Sequence, residues 1–251
     1  MIVSPAASGL ASRGHCRRCG VEHSLPAEPA LAEAERLKAK LAADEDLHFG
    51  PRGEQPNAPS TASLFGPARG KMFGVLVGRC RETGAPRTLR AFSGQYERRW
   101  LIDGWVGPLF DVAAWHEADA RTEPRIKALT AAIDGAADDN DAEARAALVQ
   151  RRRALSRALM LEFHALYRLH DFRGTTATLS DVIAGPAGTG TGDCCAPKLL
   201  NAAVLSGVTP VAIAEFYWGR TNLSGSRTHG TSYASCRAKC APILGFQLCG
   251  L

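Results

Sequence analysis

The sequence predicts a mixed α/β protein: a layered sheet with an inserted α-helical hairpin and a small Cys/His-containing N-terminal extension. Three observations lead there. Two short apolar runs, KMFGVLVGRC and RTLRAFSG, flank the turn-rich RETGAP, the pattern of a β-hairpin. A third apolar run, VAIAEFYWG, lies between two helical segments, CCAPKLLNAA and CAPILGF. Between hairpin and helices, residues 111–170 carry apolar side chains at helical spacing. Strands alternating with helices over short connections give a layered α/β architecture.

Taken in order, residues 1–14 are small and polar and read as frayed, and HCRRCGVEH follows. Leu31 to Leu41 reads as a short amphipathic helix. Residues 50–62, GPRGEQPNAPSTA, have the composition of a linker. This divides the chain into an extension, 1–62, and an α/β core, 63–251. RRWLIDGWVGPLF reads as an ordered loop covering the core. A helix is predicted over about 119–134 with Pro124 near its start, then a turn and N-cap at Asp138, Asp139, Asn140 and Asp141. The next helix, about 141–170, repeats Leu148, Leu155, Leu159, Phe163, Leu166 and Leu169 at the 3.6 period and would carry His164 and His170. The glycine loop GPAGTGTGD leads into a helix from about 194 to 206, ended by Gly207. Residues 219–235 form a polar loop, and the last helix is expected to begin near Ala241–Pro242.

The composition narrows the function classes. At 251 residues, with 45% hydrophobic and 22% charged residues, the chain can bury a core, so global disorder is excluded. The net charge of +5 permits a nucleic-acid partner without demanding one. MIVSPAASGLASRG lacks the basic and apolar regions of a signal peptide, and no apolar run reaches the roughly 18 to 20 residues of a membrane span. The expectation is a cytoplasmic protein with reduced thiols, whose clustered cysteines serve metal or redox chemistry rather than bridges.

Eight cysteines concentrate that chemistry. Cys194 follows a glycine loop at a helix start, where the positive end of the helix favours a thiolate. Cys236 and Cys240 share the start of the last helix, so one turn could aim both at one point. Thiolates on two helix starts flanking a strand predict a zinc site. Its fourth ligand is open between His229, Cys195 and water; water would make the site catalytic and a fourth side chain would make it structural. Two other readings stand beside it: buried free thiols, or a cysteine-nucleophile enzyme using Cys194 or Cys195 with His229 as base. Cys16, Cys19 and His23 have the spacing of a zinc knuckle and form a candidate second metal site that lacks a fourth ligand. Cys80 and Cys249 read as core.

Arg151, Arg152 and Arg153, with Arg145, Arg157 and Arg168, place positive charge along the long helix, where it could track a phosphate backbone. Tyr217 and Trp218, at the end of a strand beside the cysteines, could stack on a base. Glu215 stands out as a carboxylate inside an apolar strand, with an Arg or Lys partner as its default.

Two family resemblances enter on these residues. The element order and the CCAPKLL segment resemble the zinc-dependent nucleobase deaminase superfamily. Its first motif is His or Cys, any residue, then Glu at a helix start; its second is Pro-Cys-x-x-Cys opening the next helix. Cys194, Cys236 and Cys240 match the ligands, which implies a deaminase-like layered sheet and a zinc-dependent hydrolase acting on a nucleobase or nucleotide. In that chemistry the Glu moves protons and is not a ligand. Here Ala196 stands at the Glu position and three residues separate the cysteine pair, so Asp193 and Glu215 become the candidate proton shuttles. The second resemblance covers most of the chain from Gly70 onward. GKMFGVLV, LRAFSGQ, GWVGPLFD, GTGDCCAPKLL, AEFYWG and HGTSYASCRAKCAPIL resemble the extra N-terminal region of some bacterial RluA-type pseudouridine synthases. That implies a zinc-binding accessory domain in RNA modification, recognising RNA or a partner enzyme. The chain holds no stretch like the HRLDxxTSG of the synthase domain, so pseudouridine synthesis itself is not expected of it.

Overall fold

The computed structural model describes residues 9–49, 59–136 and 142–251. Residues 1–8 of the segment expected to fray, most of the expected 50–62 linker and the expected turn at 138–141 lie outside the described residues.

The chain opens with a β-hairpin, β1 (Ser12–Cys16) and β2 (Val21–Leu25), followed by helix α1 (Glu28–Asp44). Strands β3 (Lys71–Cys80) and β4 (Pro86–Phe92) pair antiparallel, as their apolar runs predict. Helices α2 (Val112–Gly135) and α3 (Ala142–Leu166) follow, then the two-residue strands β5 (Leu169–His170) and β6 (Thr176–Ala177) and the short helix α4 (Leu179–Val182). Helix α5 (Cys195–Leu205), strand β7 (Val208–Trp218), strand β8 (Ser232–Tyr233) and helix α6 (Arg237–Gln247) follow, and a 3-10 turn, Ala62–Phe65, precedes β3. The fold is mixed α/β, and its main sheet is antiparallel with strand order β4-β3-β7-β8.

Strand alternation decides what each face of that sheet buries. Phe73, Val75, Ala212, Ala214 and Phe216 turn to one side and pack against Ala30, Ala34, Leu37 and Leu41 of α1. Leu76 and Ile213 turn to the other and pack against Cys195, Leu199, Leu200 and Ala203 of α5 and Cys240 and Leu244 of α6. Helix α1 thus buries its apolar stripe on the sheet, although its sequence reads as part of an appended extension. Glu215, in phase with Ile213, falls on the α5/α6 face. Opposite it in register is Gly74, where a Cβ would stand 2.7 Å from the Cys195 Cβ. That glycine lets the start of α5 come down onto the sheet.

Helices α2 and α3 pack against each other, and Arg121 pairs with Glu162 across them. Their apolar residues are only partly used: Leu159 is buried, while Leu161 remains 65% exposed. The structure corrects several boundaries. Helix α2 begins at Val112, capped by the Asp111 side chain, which accepts from the Ala114 N–H at 2.8 Å; Pro124 therefore lies mid-helix. Helix α3 ends at Leu166, and His170 sits on β5 instead of on that helix. Helix α6 begins at Arg237, before Pro242, with Cys236 at its N-cap position. HCRRCGVEH is a β-hairpin and its turn.

Candidate metal centre

The two cysteine-bearing helices converge at their N-terminal ends. Cys194 is the N-cap of α5 and Cys236 the N-cap of α6, with Cys240 one turn further on. The three sulfurs lie within 4.8 Å of one another, close enough to hold a metal ion. Two thiolates bound about 2.3 Å from a tetrahedral ion stand about 3.8 Å apart, so the cluster needs only small adjustment to reach that geometry. All eight cysteines are free thiols.

The sulfurs already compete for protons. Donation from Cys194, then from Cys240, holds the Cys236 thiol far below its ordinary value. Cys194 is pushed far up by its bonds to Cys236 and Cys240 and by burial. Cys240 is drawn down by Cys194 but driven up by Cys236 and burial, to about 12. Three thiols packed this closely repel one another's charge, so ionising all three requires a cation.

Around the triad lie further polar groups. Glu215 is buried on β7, and its Oε1 accepts the Ala196 N–H at 3.1 Å and the Ser235 hydroxyl at 2.9 Å. It thereby joins the backbone just past Cys194 to the side chain just before Cys236. Burial pushes its carboxyl up to about 7, against the pull of those two hydrogen bonds. The expected Arg or Lys ion pair is replaced by these neutral donors. Asp193 is half-buried; its Oδ1 accepts from the Tyr167 hydroxyl at 2.6 Å, and burial raises its carboxyl. Lys198 is buried and donates to the carbonyls of Phe92 at 3.1 Å and Gly94 at 2.8 Å. Desolvation lowers it to about 8, opposed by Asp193. Asp193 also lines a cavity of about 490 Å³ with Lys71, Tyr96, Trp100 and Trp115. The GPAGTGTGD loop ends in tight turns, with Gly190 and Gly192 at positive φ and the Thr189 carbonyl held by Lys239 at 2.7 Å.

Several sequence candidates lie elsewhere. His229 is outside the triad: its Nδ1 accepts the Gly219 N–H at 3.1 Å, and its ring packs on Trp218 and Phe65. Cys195 points into the sheet, its thiol donating to the carbonyls of Met72 at 3.4 Å and Ala91 at 3.7 Å. Neither can be the fourth ligand, and His229 has no thiol beside it to activate. Trp218 and Tyr217 are buried, so neither is open to a base. Arg151 and Arg153 are exposed on α3 and Arg152 half-exposed, away from the cysteines along a shallow groove shared with Arg157.

A second group forms where the N-terminal hairpin meets the last residues of the chain. Cys16, Cys19, His23 and Cys249 place their ligand atoms within 4.8 Å of one another. Cys249 reads as core in the sequence, and nothing in its local pattern pairs it with a motif more than 200 residues earlier. Among the described residues no helix is long and apolar enough to cross a membrane. Comparison with family models, curated proteins and solved structures returned no match. Among the described residues, the three-cysteine group and the Cys/His group are the ones whose geometry could hold a metal ion.

Proposed function

We propose that the chain is a zinc-dependent hydrolase of the deaminase type, acting on a nucleobase or nucleotide at the Cys194–Cys236–Cys240 centre. The observation that carries this reading is the place of Glu215. In the motif that Cys194 resembles, a carboxylate stands two residues past the ligand, where this chain has Ala196. Here the Glu215 carboxylate, from the adjacent strand, accepts the Ala196 N–H itself. The element order supports a deaminase-like layering: hairpin β3–β4, helix α5 capped by Cys194, strand β7, helix α6 capped by Cys236.

Three thiolates fit zinc and leave one position for water, as in catalytic sites. When bound, the ion supplies Lewis-acid activation of water at neutral pH. Glu215 takes a proton from the attacking water and returns it to the departing amine, so an exocyclic amino group leaves as ammonia and oxygen takes its place. Ser235 and the Ala196 amide hold that carboxylate in one orientation.

The test is ammonia release from cytosine, adenine and guanine nucleosides and from short RNA, with zinc-loaded protein. Release that is lost in Glu215→Gln with zinc retained supports the hydrolase. Retained zinc with no release from any of these substrates overturns it.

A second reading is a zinc-binding accessory domain in RNA modification, favoured by the exposed Arg151, Arg153 and Arg157 along α3 and by the resemblance of the motifs from Gly70 onward. Its signature is RNA binding whose salt dependence weakens when those arginines become alanine.

A further inference from the structure

We infer that Cys16, Cys19, His23 and Cys249 form a second, structural zinc site that clasps the β1–β2 hairpin to the segment just past α6. All four ligand atoms lie within 4.8 Å of one another. The Cys19 and Cys249 sulfurs are 3.8 Å apart, the edge of a tetrahedron of thiolates about 2.3 Å from zinc. That separation is far longer than the roughly 2.05 Å of a disulfide. His23 Nε2 lies 3.1 Å from the Cys19 sulfur. Three sulfurs and one imidazole complete a tetrahedron, and a site with four side-chain ligands has no position for water. This centre therefore holds structure, whereas the triad has the incomplete protein shell of a reactive site.

The turn is shaped for the task. Gly20, at φ 71°, donates its N–H to the Cys16 carbonyl at 2.9 Å and folds the Cys16–Cys19 loop back on itself. Strand β2 then carries His23 to the same point.

The surroundings also say what is clasped. A two-stranded hairpin is marginal by itself in water. This one lies flush on α6: a Cβ on Gly14 would meet the Ala241 carbonyl oxygen at 1.8 Å, and one on Gly245 would meet the His15 carbonyl oxygen at 2.2 Å. Arg18 reaches Asp171 at 3.1 Å, and the Phe172 N–H donates to the Cys249 carbonyl at 3.1 Å. The backbone that carries Cys249 is thus tied to the segment that Arg18 grips. A metal there adds a bond between the hairpin and the end of α6 without touching the triad.

The experiment is a metal count on the full chain with zinc alone, joined to a cobalt(II) titration of metal-stripped protein. Two equivalents are expected for the wild type, both with thiolate-to-cobalt absorption. Cys249→Ala and His23→Ala should each bring the count to one, and Cys236→Ala should also leave one; Cys249→His, which preserves a ligand, should keep two. Loss of protection of the hairpin from proteolysis should accompany Cys249→Ala and not Cys236→Ala. The inference is overturned if the wild type saturates at one equivalent and His23→Ala saturates at the same one, a result that needs no fold-disrupting variant. It is also overturned if Cys249→Ala folds and still binds two. Neither result bears on ammonia release at the triad, so the two readings fail separately.

Discussion

The Glu215 carboxylate accepts the backbone N–H of Ala196 at 3.1 Å, across nineteen positions of sequence. A side chain on the central strand thus occupies the head of the neighbouring helix, beside the cysteine that caps it. Strand alternation turns Glu215 to that face, and Gly74 opposite lets the helix approach. Burying a carboxylate there is costly without partners, and Ser235 and the Ala196 amide provide them.

Glu215→Gln keeps an acceptor of the same shape for Ala196 and Ser235 while removing the proposed base. The zinc content should stay unchanged, and ammonia release should fall by about 100-fold or more, as loss of a general base does. Metal analysis and steady-state rates on one preparation check both halves.

Cys194 and Cys195 are neighbours with opposite fates. Cys194→Ser should remove one equivalent of metal, since a serine hydroxyl is a poor substitute for thiolate. Cys195→Ser should retain full metal, because its thiol faces the Met72 and Ala91 carbonyls. If Cys195→Ser alone lost metal, the assignment of ligands would be wrong.

Lys198 links stability to alkaline pH. Desolvation lowers its folded value to about 8 from an ordinary 10.5. The unfolded chain therefore binds the proton more tightly. This lysine's contribution is full above pH 10.5 and is lost as pH falls through about 8, a swing of roughly 3 kcal/mol. Urea melts between these limits should show wild-type stability rising with pH relative to Lys198→Met.

Gly245→Ala tests the close approach of β1 and α6. The added methyl would need to displace the His15 backbone, an overpacking that costs about 1–3 kcal/mol or more. A Tm lower by roughly 5–10 °C is expected. Gly250→Ala is a less specific control, since its φ of 102° adds backbone strain of its own.

Much of this was legible in the chain. Apolar runs around RETGAP mark β3 and β4, the VAIAEFYWG run marks β7, and Cys194, Cys236 and Cys240 read as one cluster because helix starts gather thiolates. Helix boundaries were less legible: the Asp111 cap begins α2 well before Pro124, and α6 starts after Cys236, before Pro242, since a single side chain or loop geometry decides where a helix starts. Trp218 reads as a stacking surface at a strand end, yet it is buried, because which side of a loop an aromatic faces depends on what packs over it.

What the sequence determined by itself is local: the periodicities that place strands and helices, and the residue types that bind soft metals. Only the tertiary structure decided which distant groups meet. It moved His229 onto Trp218, turned Cys195 into the sheet, brought Glu215 to Ala196 and closed the Cys16–Cys19–His23 group with Cys249. Periodicity fixes the face on which a side chain lies, but the partner on that face is set by how sheet and helices stack, and no pattern along the chain records it.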